Sequence, residues 1–169
     1  MKTQTLVEKQ ISTPLGRLRL VASERGLRGV FYARHHPKPA WAGRAVPAHP
    51  VLDAAARELD DYFQGRRRAF TVPLDAPGTP FQRQVWAALA EIPYGAQRSY
   101  AQVARAVGRP RAARAVGRAN ATNPLSILVP CHRVVAADGS AAGYAGGARA
   151  KAWLLAHEAS CYTVLPSER

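Results

Sequence analysis

The sequence predicts an α+β chain in two parts, a small strand-and-helix portion over residues 1–76 and a mostly helical portion over residues 77–165. Three observations predict it. Short segments of strand pattern and one amphipathic helix fill the first part. A run of turn formers, Asp75-Ala76-Pro77-Gly78-Thr79-Pro80, marks the boundary. Beyond it the spacing of apolar residues turns helical.

Taken in order, Gly16–Ala22 opens with period-two alternation and is the first strand the pattern assigns, with Gly29–Tyr32 as its partner. From His35 to Pro50 the chain is rich in Pro, His and Ala and reads as an irregular connection, so His35, His36 and His49 are loop residues. Val51–Phe63 places Val51, Leu52, Ala55, Leu59, Tyr62 and Phe63 at helical spacing, and Gly65 stops the helix. Phe70–Leu74 reads as a short strand. Phe81–Ile92 is a helix with Phe81, Val85, Leu89 and Ile92 on one face. Ser99 is the N-cap of a helix over Tyr100–Val107, Gly108-Arg109-Pro110 is a tight turn, and Arg111–Ala119 is a second helix. Two short helices joined by such a turn form a helix-turn-helix pattern. Trp41, Trp86 and Trp153 read as packing residues.

Charge narrows the partner. The chain carries 24 Lys+Arg against 11 Asp+Glu, a formal +13, and such an excess points to a polyanion. It is concentrated. No acidic residue lies between Glu91 and Asp138, where Arg98, Arg105, Arg109, Arg111, Arg114, Arg118 and Arg133 occur. The second helix alternates Arg with Ala and Gly, so it combines charge with close approach to a groove. No apolar run reaches the roughly 18 residues a membrane span needs, and the opening MKTQTLVEKQ has no apolar signal core, so a soluble cytoplasmic protein is expected.

Cys131 and Cys161 lack the spacing of a disulfide framework or a zinc site. In Ile127-Leu128-Val129-Pro130-Cys131-His132-Arg133-Val134-Val135 a Cys-His pair sits inside a strand-like apolar run that Pro130 should end or bend. That arrangement points to an exposed, positioned thiol. Cys161, in a polar tail, reads as incidental.

Pro130-Cys131-His132-Arg133-Val134 resembles the signature of the O6-alkylguanine-DNA alkyltransferases. Ser99-Tyr100, Ala113-Arg114-Ala115-Val116-Gly117, Asn123-Pro124, Gly143-Tyr144-Ala145-Gly146-Gly147 and Leu154-Leu155-Ala156-His157-Glu158 follow in that family's order. The resemblance runs from about Phe81 to Glu158 and is loose before that. It implies a ribonuclease-H-like α/β first domain and a winged-helix/helix-turn-helix second domain. It also implies a single-turnover transfer of the alkyl group of O6-alkylguanine, and of O4-alkylthymine, in double-stranded DNA to Cys131. In that scheme His132 acts on the thiol through a water and Glu158 orients the imidazole. Tyr100 donates a proton to the leaving base, and Asn123 holds the turn before the thiol. Arg114 replaces the flipped nucleotide, while Ala112, Ala113, Ala115, Gly117 and Gln82 meet the minor groove. Val134, Tyr144, Ala145 and Gly146 form the base pocket, where some relatives carry a hydroxyl residue in place of Ala145. A monomer close to the nucleoid is implied, without cofactor. Relatives with an N-terminal zinc site use Cys ligands there, and this chain has no Cys before Cys131, so no metal is expected.

Rival readings each lack something. A non-catalytic lesion-binding protein of the same kind replaces the acceptor Cys, which is present here. A Cys-His hydrolase leaves the basic helix pair unexplained. A transcription regulator wants polar base-reading side chains where this second helix has Ala and Gly.

Overall fold

A computed structural model describes residues 4–39, 41–139 and 143–162 of the chain. The expected ends of the two parts, residues 1–3 and 163–165, lie outside the described residues. The first part is a mixed sheet of β1 (Val7–Thr13), β2 (Gly16–Ala22), β3 (Leu27–Tyr32) and the two-residue β4 (Arg44–Ala45), in the order β3-β2-β1-β4. β1 and β2 form an antiparallel hairpin with Val7 opposite Ala22 and Thr13 opposite Gly16. Gly16 takes φ +88°, a left-handed turn conformation that costs glycine little. β1 carries no strong alternation: Val7 and Ile11 are its only aliphatic residues, so pairing and not patterning makes it a strand.

Helix α1 (Pro50–Phe63) covers the sheet, starting at a proline in its first turn and burying Leu52, Ala55, Leu59 and Tyr62. Gly65, at φ +77°, follows its end as expected. The strand expected over Phe70–Leu74 does not form; only Leu74 bridges, parallel to Leu27. Pro73 has no N–H to give to a ladder, and the Thr71 and Val72 amides donate instead to the buried Glu58 carboxylate.

The second part is helical: α2 (Pro80–Ala90), α3 (Tyr100–Ala106), α4 (Ala113–Ala121) and α5 (Ala148–Tyr162), with β5 (Arg98–Ser99) pairing parallel to β6 (Val134–Val135). Thr79 and Ser99 each close a capping box, with Gln82 and Gln102 respectively. α4 starts and ends two residues later than its pattern suggests. Pro110 and a turn bond from the Ala112 amide to the Arg109 carbonyl hold the preceding residues out of the helix. Ala112 is therefore the N-cap of α4.

The apolar run before the thiol is no strand. Leu125–Val129 is a tight turn, with the Val129 amide donating to the Leu125 carbonyl at 2.9 Å. Ile127 there adopts φ +75°, a conformation costing a β-branched residue about 1–3 kcal/mol. Asn123 holds the turn, donating to the Val129 carbonyl at 2.9 Å and accepting from the Leu125 amide at 3.0 Å. Cys131–Arg133 is one 3₁₀ turn.

The two parts share a buried seam. The Val30 amide of β3 donates to the Pro124 carbonyl at 2.8 Å, and the Tyr32 hydroxyl of β3 lies 2.7 Å from that of Tyr144. His157 of α5 bonds the Tyr62 carbonyl and stacks on Trp153. Cys161 lies on the last turns of α5, its sulfur beside Gly65, and not in a polar tail. No helix among the described residues is long and apolar enough to cross a membrane.

Candidate active site

Cys131 is buried, with 1% of its surface exposed, which corrects the expectation of an exposed thiol. The 3₁₀ turn holds it in the interior, near enough to Tyr100 and Tyr144 to interact electrostatically with both phenols. Burial pushes its pKa up to about 11, against opposing pulls from the Asn123 side chain and Lys151. At neutral pH it therefore rests as a thiol, and a base is needed to ionise it.

An imidazole adjoins it in the chain. His132 is fully buried, and its Nε2 lies 2.8 Å from Glu158 Oε1. Its Nδ1 has no hydrogen-bond partner among the described residues. Burial lowers the His132 pKa, with Glu158 pulling the other way, so the imidazole rests neutral and able to take a proton.

Glu158 is held by an unusual number of donors. Arg133 grips it with two nitrogens, Nε to Oε2 at 3.0 Å and Nη2 to Oε1 at 2.8 Å. The Tyr62 hydroxyl donates to Oε1 at 2.8 Å, and the Gly95 amide reaches Oε2 at 3.3 Å. Burial alone would raise this carboxyl, but the hydrogen bonds from His132 and Arg133 outweigh it and hold its pKa down to about 2. Arg133 thus belongs to the buried centre and not to the exposed basic face on which the sequence placed it.

Around the thiol stand three phenols and an ammonium. Tyr100, at the start of α3, is half-buried between Gly117 of α4, where an added Cβ would lie 3.8 Å from its ring, and Gly143. Tyr144 is buried with its hydroxyl 2.7 Å from that of Tyr32 in β3. The Ala145 carbonyl accepts from the His36 amide at 3.0 Å, and Gly146 lies so close to the Tyr32 ring that an added Cβ would meet it at 2.6 Å. Only glycine fits there. Lys151, completely buried, donates its Nζ to the Val134 carbonyl.

The structure brings Cys131, His132, Glu158, Asn123, Tyr100, Val134, Tyr144, Ala145 and Gly146 into one region. It puts Arg114 and Arg118 on the exposed face of α4, with Ala113 and Ala115 half-buried. Gly117 faces Tyr100, and Gln82 is engaged by its capping box and by Thr122 at 3.0 Å. Sequence reasoning missed Tyr32, Tyr62 and Lys151. For Lys151 a signal existed: Lys151, Leu154 and Glu158 fall at i, i+3 and i+7, one helix face, and all three are fully buried. Among the described residues no group of three or more His, Cys, Asp or Glu side chains is placed to hold a metal ion.

Fold and site together define a class: a helix-turn-helix protein carrying one buried thiol beside an imidazole–carboxylate pair. The comparisons are specific. Residues 80–160 match the 6-O-methylguanine DNA methyltransferase DNA-binding domain, and residues 6–76 match the ribonuclease-like domain of the same family. A methylated-DNA–protein-cysteine methyltransferase of Methanosarcina acetivorans is 43% identical over 88% of this chain and 96% of its own length. The constitutive one of Bacillus subtilis is 44% identical over 89% and 93%. Mycobacterium tuberculosis OGT, solved in complex with DNA, superposes with a TM-score of 0.84 at 41% identity, covering 92% of this chain and 94% of that one. The chain belongs to the 6-O-methylguanine DNA methyltransferase family.

Proposed function

We propose that the protein repairs DNA directly, moving the alkyl group of O6-alkylguanine onto Cys131 Sγ once per molecule. The observation that carries this is a neutral buried thiol beside a neutral buried imidazole whose far nitrogen is anchored on Glu158. The thiol proton passes through a water to His132 Nδ1, and Glu158 stabilises the imidazolium. The sulfur then attacks the alkyl carbon, a C–S bond forms, and the C–O electrons leave with the base. Tyr100 protonates a guanine ring nitrogen as this happens.

Tyr144, the Ala145 backbone and Gly146 wall the base pocket. The Val134 carbonyl, with one lone pair on Lys151, offers the other to the exocyclic amine. α4 lies in the minor groove on Ala112, Ala113, Ala115 and Gly117, with Gln82 beside it, and Arg114 fills the space of the flipped nucleotide. We place the division between domains at 76/77. O4-alkylthymine is a second substrate, and the protein works as a monomer on cytoplasmic, nucleoid DNA. The presence of Cys131 sets it apart from lesion-binding proteins without an acceptor.

The test is direct. Incubation with duplex DNA holding one O6-methylguanine should add one methyl group per protein, mapped to Cys131 by peptide mass, with no turnover. Excess product, or an unmodified protein, would refute it.

A further inference from the structure

Glu158 Oε1 accepts from His132 Nε2, Arg133 Nη2 and Tyr62 OH, each at 2.8 Å. One carboxylate oxygen has about two lone-pair sites, so three close donors compete for it. Two of them belong to the reaction centre's own 3₁₀ turn. The third reaches it from α1, across the seam, and is the neutral O–H among two nitrogen donors. Tyr62 is itself fully buried and fixed from behind: its carbonyl takes His157 Nε2 at 2.8 Å, and its ring packs on Tyr94, Phe63 and Phe70. It cannot swing away without opening the seam.

We infer that Tyr62 is a positioning residue for the transfer: by sharing Glu158 Oε1 with His132 it limits how strongly the carboxylate draws the imidazole toward its protonated form. The inference rests on the reading of His132 as acceptor of the thiol proton. The His132 ring also meets the Tyr144 ring edge-on, with centroids 6.5 Å apart. Arg133 opposes protonation of His132 from the same turn, as does Lys151 from α5. Tyr94, which precedes Gly95, packs beside Tyr62, with Arg133 over its ring. Loss of the phenol returns electron density on Oε1 to His132, and the sign follows: imidazolium becomes easier to form. A base that is already protonated cannot accept from the thiol.

The experiment compares wild type with Tyr62→Phe in two readouts. One is the pH dependence of methyl transfer to Cys131, followed by intact mass. The other is the titration of the His132 ring nitrogens by nitrogen-15 NMR in the DNA-free protein. The acidic limb of transfer and the His132 titration should both move to higher pH by about half to one unit. Transfer at the acid end then drops about 3- to 10-fold while the plateau holds. 3-Fluorotyrosine at position 62, a stronger donor, should move both curves the opposite way, and covers the case in which Tyr62→Phe folds poorly. Unmoved curves, or a uniform rate loss with the limb in place, would overturn the inference. An unmethylated wild type would instead sink the reading of His132 as base, while the NMR titration would still report on Tyr62.

Discussion

The buried centre and the exposed basic face treat charge in opposite ways. Around Cys131, His132, Arg133, Lys151 and Glu158 are all at least 95% buried, and Glu158 alone gathers donors from α1, the turn before β5 and the 3₁₀ turn. On the basic face, Arg98, Arg105, Arg109, Arg111, Arg114 and Arg118 are exposed and have no acidic partner among the described residues. Burial makes unmet charge intolerable, so the centre's geometry is fixed before any substrate arrives. The exposed arginines bear no such constraint and can take their order from DNA phosphates. Chemistry is preorganised here and search is left loose.

Substitutions should break that contrast in graded fashion. Cys131→Ala should abolish transfer completely yet leave duplex binding within about 2-fold, a difference of less than about 0.5 kcal/mol, checked by mass spectrometry and by titration with labelled DNA. Loss of both would make the thiol structural. Glu158→Gln leaves the buried Arg133 without its counter-charge and should lower unfolding stability by about 3–5 kcal/mol in denaturant melts. Its pH signature has a definite sign. The folded pKa of about 2 lies below the usual 4.5, so the carboxylate's stabilisation is present above about pH 4.5 and lost as pH falls toward 2. Wild type should lose stability across that window and the glutamine variant should lose less; parallel curves would contradict the assignment.

Arg114→Ala should slow repair in duplex DNA on the order of 10- to 100-fold, since flipping costs a few kcal/mol. Reaction with a free O6-alkylguanine base should hardly change, and equal losses on both substrates would remove Arg114 from the flipping step. The smallest effect is expected at Arg118→Ala: weaker binding to any duplex, with the salt slope of log K reduced by about one. A slope that stays the same would take Arg118 off the DNA.

Much of this was legible in the residues. Ser99 and Gly65 announce their helix ends by chemistry that depends on neighbours a few positions away, and Cys131, His132 and Glu158 stand in recognisable motifs. What escaped depends on distant partners. β1 is a strand because β2 pairs with it, although its own pattern is weak. Phe70–Leu74 looked like a strand, but Glu58 takes its amides. Pro130 suggests an exposed thiol because it breaks a strand, whereas the 3₁₀ turn that follows leaves Cys131 buried. Tyr62 and Tyr32 lie 96 and 112 positions from the residues they bond, beyond what local pattern can show.

The burial of Cys131 bears finally on shelf life. A molecule that reacts once must survive, unspent, until its lesion appears. Oxidants and stray electrophiles attack the thiolate, and a sealed sulfur with a pKa near 11 offers them almost none. A methyl added to a sulfur with 1% of its surface exposed should overpack its site at a cost of about 1–3 kcal/mol. Calorimetry should find the methylated protein melting below the unmodified one. The seal that preserves the dose also marks the spent molecule.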